Sequence, residues 1–412
     1  MFLPGPGKER LIRFALDEAL EGQDQIPRVI GTVVARLMAT SPADRYGSAN
    51  EVIEAVNEVT GSAYELETRE TAVSYALRTH FVDREAELAD LQALWEQAKS
   101  DEGQLVLISG ESGVGKTRLV TELEVQAELE GARVVWGQCI ESGGSAYHPW
   151  REVLRVVVRY VEDVDEPTML RAGPVLATLL PELWGREYMG ALEPPADLEP
   201  QAAQRRLNDT IVQVLQAAAE SRPTVVVVEN AHWADEATLE LLRFLARLPG
   251  QKGLLVCITY RDDEVEADHL LETLAGEQVR RIRVNRLSPE VTTELVCSML
   301  GLEELPALLT ERIQQTTRGN AFFVQEMIRS LAAEGEVLRR TVGGWQVNRD
   351  ALEEARLPEG IQQTVGRRLN QLSEEGRLVL NWAAVVGMVF WEGGVAAAGQ
   401  VVWQRVRVAL RE

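Results

Sequence analysis

Leu105-Val106-Leu107-Ile108-Ser109-Gly110-Glu111-Ser112-Gly113-Val114-Gly115-Lys116-Thr117 is the stretch that decides the fold of this chain. Its first residues are a short apolar run, as expected of a strand buried on both faces of a sheet. The octet from Gly110 to Thr117 fits the pattern G-x-x-x-x-G-K-[ST], and the residues from Lys116 to Leu129 carry helical spacing. Strand, glycine-rich turn and helix in that order give the pattern its physical meaning. The glycines let the main chain curl with its N–H groups inward, and the helix presents its positive end to an anion. The expected ligand is a nucleoside polyphosphate with magnesium. Lys116 would reach the β- and γ-phosphates, the Thr117 hydroxyl would ligate Mg2+, and Glu111, Ser112, Val114 and Arg118 fall on the same loop and helix start.

Further apolar runs repeat the strand signal at Val134 to Gly137, Thr224 to Glu229 and Leu254 to Tyr260, with a weaker one at Ile282 to Val284. Amphipathic stretches lie between them, among them Ala202 to Ala219 and Glu236 to Arg247, so the expected fold is a doubly wound α/β domain with a parallel sheet and flanking helices. A helix is predicted before it, over Arg84 to Lys99. The acidic, proline-bearing stretch Asp163 to Gln201 is left without an assignment. Helices are predicted again at Pro289 to Leu300, Ala307 to Thr317 and Ala321 to Glu334, then a hairpin turning on Gly343-Gly344, then helices at Pro358 to Leu372 and Glu374 to Val386.

The sheet brings further candidates to the phosphate loop. Four valines make Thr224 to Glu229 a buried strand, so Glu229 emerges at its carboxyl end as a metal-side acid. The next position is Asn230, whose amide can bond a water but cannot accept its proton. Hydrolysis is then slow or depends on another group, unless positioning and electrostatics suffice without a base. Arg261, after the strand ending in Tyr260, is read as a sensor of the γ-phosphate or as a partner of Asp262 and Asp263 in a surface ion pair. Asp235 reads as the N-cap of the Glu236 helix, and His232 and Trp233 as packing residues.

Composition bounds the function. The 412 residues carry 42 basic and 64 acidic side chains, a net charge of −22, which disfavours binding nucleic acid by phosphate neutralisation. Four scattered histidines and three distant cysteines offer no metal-ligand spacing, so any metal should arrive with the nucleotide. No apolar run is long enough for a membrane span and no secretory signal is seen, so a cytoplasmic location is expected.

With these residues in hand, the chain resembles the STAND class of P-loop ATPases, close to the AAA+ group, found in bacterial signalling regulators. Phe81-Val82-Asp83-Arg84-Glu85-Ala86-Glu87-Leu88 resembles the family's opening F-V-G-R-E-x-E-L, which implies that Arg84 lies on the adenine side. Gly110 to Thr117 corresponds to the Walker A motif, Val225 to Asp235 to Walker B with H-W-A-D, and Thr259-Tyr260-Arg261 to the sensor arginine. Gly319-Asn320-Ala321-Phe322-Phe323 resembles the G-N-P-F-F of the helical lid. Departures stand at Asp83 for glycine, Asn230 for an acid and Ala321 for proline.

The resemblance implies a P-loop ATPase core over 80–287, a helical lid with hairpin over 288–356 and an incomplete winged-helix region over 357–412. Residues 1–65 look like the tail of a serine/threonine kinase domain, followed by a linker over 66–79. Leu37 to Tyr46 resembles the last kinase subdomain, where an arginine, here Arg45, pairs with a glutamate of the activation segment. That glutamate and the kinase catalytic motifs are missing from the 412 residues, so no kinase activity is expected. The chain therefore reads as an internal piece of a larger regulator. ATP or ADP with Mg2+ is the implied ligand, a protein or another part of that regulator the implied partner, and oligomerisation is left open. The implied function is a nucleotide-controlled signalling switch; the alternatives are a scaffold that never turns over and a regulator that binds DNA through the winged helix.

Overall fold

The computed structural model describes residues 49–60, 82–100, 103–141, 145–247, 252–266, 279–341, 344–354, 372–386 and 391–399. Single positions at 33, 36, 37, 39, 45, 46, 269, 271, 274, 366, 369, 405 and 406 are also described. The chain divides into two compact units, Met1–Arg78 and Thr79–Glu412. In the first, helix α1 spans Ala49–Thr60. Arg45, the arginine of the kinase-like motif, donates to the Ala39 carbonyl at 2.8 Å, and Arg36 stacks 4.3 Å above the Tyr46 ring. Most of that motif, the 66–79 linker and Phe81 lie outside the described residues.

The second unit opens with α2 (Glu85–Ser100) and builds a five-stranded sheet from β1 (Gln104–Ser109), β2 (Arg133–Gln138), β3 (Thr224–Glu229), β4 (Leu254–Thr259) and β5 (Val279–Arg283). The order is β2-β3-β4-β1-β5, with every pair parallel. Between strands run α3 (Lys116–Leu129), α4 (His148–Val164), α5 (Glu166–Leu176), α6 (Pro200–Ser221) and α7 (Glu236–Leu245).

The period-2 alternation of a strand sorts its residues onto two cores. Val225 and Val227 of β3 and Val106 and Ile108 of β1 pack with Leu91, Trp95, Leu119 and Leu123 of α2 and α3. Val226, Val228, Leu105 and Leu107 pack instead with Trp150, Leu154, Ile211 and Leu242 of α4, α6 and α7. Helices thus cover both faces, and this is why β3 and β4 read as continuous apolar runs.

Four strands fall within about a residue of their expected bounds. The fifth begins three residues earlier than predicted. β5 pairs only with β1, so its outward positions Arg280, Arg281 and Arg283 stay exposed and break the apolar run. The unassigned stretch 163–201 is ordered as α5, capped by the Asp165 side chain on the Thr168 amide, and two short 3-10 turns at Pro181–Gly185 and Glu187–Ala191. Its Met169, Leu176, Leu180 and Met189 are buried in the core.

Three helices follow: α8 (Pro289–Leu300), α9 (Ala307–Thr317) and α10 (Ala321–Glu334). Ser288 caps α8 through the Val291 amide, and Gly301 and Gly335, both left-handed, end α8 and α10. The hairpin pairs β6 (Leu338–Thr341) with β7 (Gly344–Val347), and α11 covers Arg349–Glu354. The helix predicted over 358–372 lies largely outside the described residues. Beyond it, α12 (Glu374–Val386) packs on α13 (Glu392–Gly399) through Val379, Ala383 and Val395.

Candidate functional site

The loop between β1 and α3 holds Gly110, Gly113 and Gly115 at φ +146°, +77° and +109°, a backbone that side chains rarely permit. Val114 is buried beneath it, and α3 starts at Lys116 with no side-chain cap to take up its first amides. The Lys116 ammonium donates to the Gly110 and Glu111 carbonyls at 2.6 and 2.8 Å, drawn back over its own loop. Burial, helped by the nearby Arg261 guanidinium, lowers its pKa to about 8. Any polyphosphate there would be stabilised by this charge and would stabilise it in return.

Thr117 and Glu229 meet directly, the hydroxyl donating to the carboxylate at 2.7 Å. Two oxygens bound side by side to magnesium at about 2.0–2.1 Å lie about 2.9 Å apart, so this pair fits one edge of such a shell. Among the described residues no group of three or more His, Cys, Asp or Glu gathers to hold a metal without a nucleotide. Next along, Asn230 sits at φ +56° and its amide N–H reaches the Thr259 hydroxyl at 3.4 Å. The left-handed corner tolerates asparagine because its short polar side chain suits that conformation.

β4 lies between β1 and β3, so the segment after it leaves the same edge of the sheet as the loop and Glu229. Arg261 is there, ion-paired with Glu264 and 5.3 Å from the Trp233 ring. Its partner is thus Glu264; Asp262 binds Arg283 at 3.1 Å. His232 lies in the one-turn helix Ala231–Trp233, its side chain 1 % exposed, 3.5 Å from Glu264 and with its ring centroid 4.6 Å from that of Trp233, the two planes tilted by 44°. Neither ring nitrogen makes a hydrogen bond. Burial, reinforced by Arg261 and Lys116, lowers its pKa to about 4 against the pull of Glu264 and Asp263. Asp235 accepts from the Thr238 amide and hydroxyl at 3.0 and 2.7 Å, as an N-cap, and also from the Tyr147 amide at 3.2 Å.

On the other side of the loop, Asp83 takes φ +54°, which accounts for glycine at this position in the resembling motif. The buried Arg84 bonds the Asn285 carbonyl and pairs with Glu87 at 3.2 Å. Glu111 is ion-paired with Arg286, which holds its carboxyl below the usual range. Arg118, half-exposed, pairs with Glu122 one turn on.

The lid also reaches the loop. Asn320 caps α10 by accepting from the Phe323 amide at 3.1 Å, while its Nδ2 donates to the Ser112 carbonyl at 2.7 Å. The Phe322 amide donates to the Gly113 carbonyl at 2.9 Å. A methyl group at Gly113 would fall 2.7 Å from Asn320 Oδ1, so only glycine permits this approach. Asn320 and His232 are the residues whose part in the site sequence reasoning did not see. The resemblance placed both in motifs, but only the folded chain brings Asn320 to the loop and His232 against Glu264.

A parallel sheet in this order, with a phosphate loop after β1 and an acid ending β3, is a P-loop NTPase fold. Residues 80–258 match the AAA ATPase domain and residues 288–335 match a domain of unknown function. An uncharacterized protein of Rhizobium meliloti is 25% identical over 260 residues, 60% of this chain and 24% of that protein. The peroxide stress-activated histidine kinase mak3 of Schizosaccharomyces pombe is 23% identical over 242 residues, 56% of this chain and 10% of that one. The chain therefore spans about a quarter and a tenth of the length of these curated relatives.

Among solved structures, the Signal Transduction ATPase with Numerous Domains protein with a tetratricopeptide repeat sensor from Pyrococcus horikoshii aligns with TM-score 0.47 at 14% identity. The alignment covers 81% of this chain and 39% of that one. The Aeropyrum pernix Orc1 protein, solved in complex with DNA, aligns with TM-score 0.38 at 14% identity, over 84% and 86% of the two chains. No helix among the described residues is long and apolar enough to cross a membrane.

Proposed function

We propose that this chain binds ATP with Mg2+ and works as a nucleotide-controlled signalling switch with slow hydrolysis, in which the helical lid reads the phosphate loop. The observation that carries the reading is the pair of bonds from the start of α10 to the Ser112 and Gly113 carbonyls. A phosphate loop that rearranges on binding must change those bonds, so the energy of binding is transmitted to the lid. Lys116 and the loop amides would hold the β- and γ-phosphates, Thr117 and Glu229 the metal, and Arg261 the γ-phosphate once released from Glu264. Arg118 would lie along the phosphates at the start of α3, and Arg84 would shape the adenine side. When bound, Mg2+ supplies charge neutralisation of the phosphates.

Asn230 removes a proton-accepting acid, which supports slow turnover. The cytoplasm, where ATP abounds and thiols stay reduced, suits Cys139, Cys257 and Cys297, all free here. A protein partner, or another part of a larger regulator, would receive the lid's signal; nucleic acid is disfavoured by the charge of −22.

The test is ATP affinity with Mg2+, measured for the parent chain and Lys116→Ala, with hydrogen exchange followed over 321–334. Loss of at least about tenfold in affinity, and altered exchange in α10 on binding, are expected. Equal affinity in the two proteins would reject the nucleotide reading, and unchanged exchange would reject the switch.

A further inference from the structure

With Glu229 given to the metal side, Asn230 leaves the next position without a group that can take a proton, but two residues on stands one that can. The His232 side chain is 1 % exposed, and neither of its ring nitrogens has a hydrogen-bond partner. A buried ring whose acceptor is unmet, and whose other nitrogen faces its nearest carboxylate at 3.5 Å, is costly, and native proteins keep such groups where a ligand or a reaction uses them. The chain turns at the left-handed Asn230 and places the ring in the turn Ala231–Trp233, at the carboxyl edge of the sheet. The groups that act on it come from three elements. Lys116 belongs to the phosphate loop, Arg261, Asp263 and Glu264 to the segment after β4, and Trp233 packs tilted against it from its own turn.

We propose that His232 is the proton acceptor of this site, taking a proton from the water that attacks the γ-phosphate, with Glu264 holding the ring from the opposite nitrogen. The proposal rests on the nucleotide reading above. Glu264 Oε2 faces Nε2 at 3.5 Å, so Nε2 keeps its hydrogen toward the carboxylate and the free lone pair is on Nδ1. In the step, the water oxygen bonds to the γ-phosphorus and the bond from that phosphorus to the β–γ bridging oxygen breaks, its electron pair leaving with ADP. The water proton passes to Nδ1 and from there to solvent. Burial above all, with Arg261 and Lys116 adding to it, keeps the ring neutral before nucleotide arrives, hence able to accept. The negative charge of a polyphosphate then offsets both cations and raises the ring's affinity for a proton. Glu264 stabilises the imidazolium that forms, as the third member of a nucleophile–base–orienter set does.

Single-turnover hydrolysis of Mg-ATP across pH, with ATP affinity measured in parallel, tests this on the full chain. His232→Gln keeps a hydrogen-bonding side chain but no basic nitrogen. It should leave ATP affinity within about threefold, slow hydrolysis by about 100-fold and abolish the acidic limb of the pH–rate profile. Glu264→Gln, at a position 38 % exposed, should move that limb to lower pH. The proposal is overturned if His232→Gln hydrolyses at the parent rate, if its acidic limb persists, or if the limb stays in place in Glu264→Gln. It is overturned equally if the parent binds ATP and never turns it over, a result that leaves the binding reading standing. A parent chain that fails to bind ATP would sink both.

Discussion

Asn230 and Asp83 show how one residue can satisfy a backbone and alter a chemistry together. Both stand at positive φ, where an ordinary side chain costs about 1–2 kcal/mol. Replacing Asn230 by alanine should therefore lower stability by about 1 kcal/mol, while glycine should change it by less than about 0.5 kcal/mol, read from urea unfolding midpoints. Equal loss in both would mean that the Asn230 side chain, and not the corner, supplies the stability. His232 makes a separate prediction about pH. Its folded pKa of about 4 lies below the ordinary 6.5, so the unfolded chain takes up a proton first as pH falls. The stability it contributes is complete above about pH 6.5 and is lost between there and about pH 4, on the order of 3 kcal/mol. His232→Gln should flatten the stability–pH curve in that window; an unchanged curve would show that the ring's burial is immaterial.

At the scale of elements, the first turn of α10 does two jobs with one side chain. Asn320 caps the helix with Oδ1 and ties the lid to Ser112 with Nδ2. Alanine removes both and should cost about 1–2 kcal/mol in denaturant unfolding. Asn320→Asp keeps an acceptor for the cap but has no donor for the Ser112 carbonyl, and leaves the Phe322–Gly113 bond in place, so α10 should stay intact while its hydrogen exchange responds less to ATP. A response equal to that of the parent would show the tie to be incidental.

Motif patterns made the loop, Glu229 and the lid helices legible, because each follows from local spacing and from capping residues such as Ser288 and Asn320. The start of β5 is hidden in the sequence because an edge strand needs only half its residues apolar, and arginines fill the other positions. α4 passed unnamed although Trp150, Val153, Leu154, Val157 and Val161 recur at helical spacing, a signal that was there to be found.

For the whole molecule, a ligand that binds only the folded chain must stabilise it. Mg-ATP at 100 times its dissociation constant should add about 2.7 kcal/mol to Thr79–Glu412, seen as a raised unfolding temperature that Lys116→Ala abolishes. No shift at saturating nucleotide would contradict a site formed by the native loop.

The sequence by itself determined the strand–loop–helix unit, the valine-rich β3 and the acid that ends it. These are local: a glycine pattern, a run of apolar residues and a cap each specify conformation over a few residues. Tertiary structure decided what those pieces face. The insertion of β4 between β1 and β3 brought Arg261 and Glu264 beside Lys116, and the packing of the lid brought Asn320 onto the loop. Long-range pairing and burial set such neighbours, and no spacing along the chain encodes which buried ring, here His232, is left without a hydrogen bond.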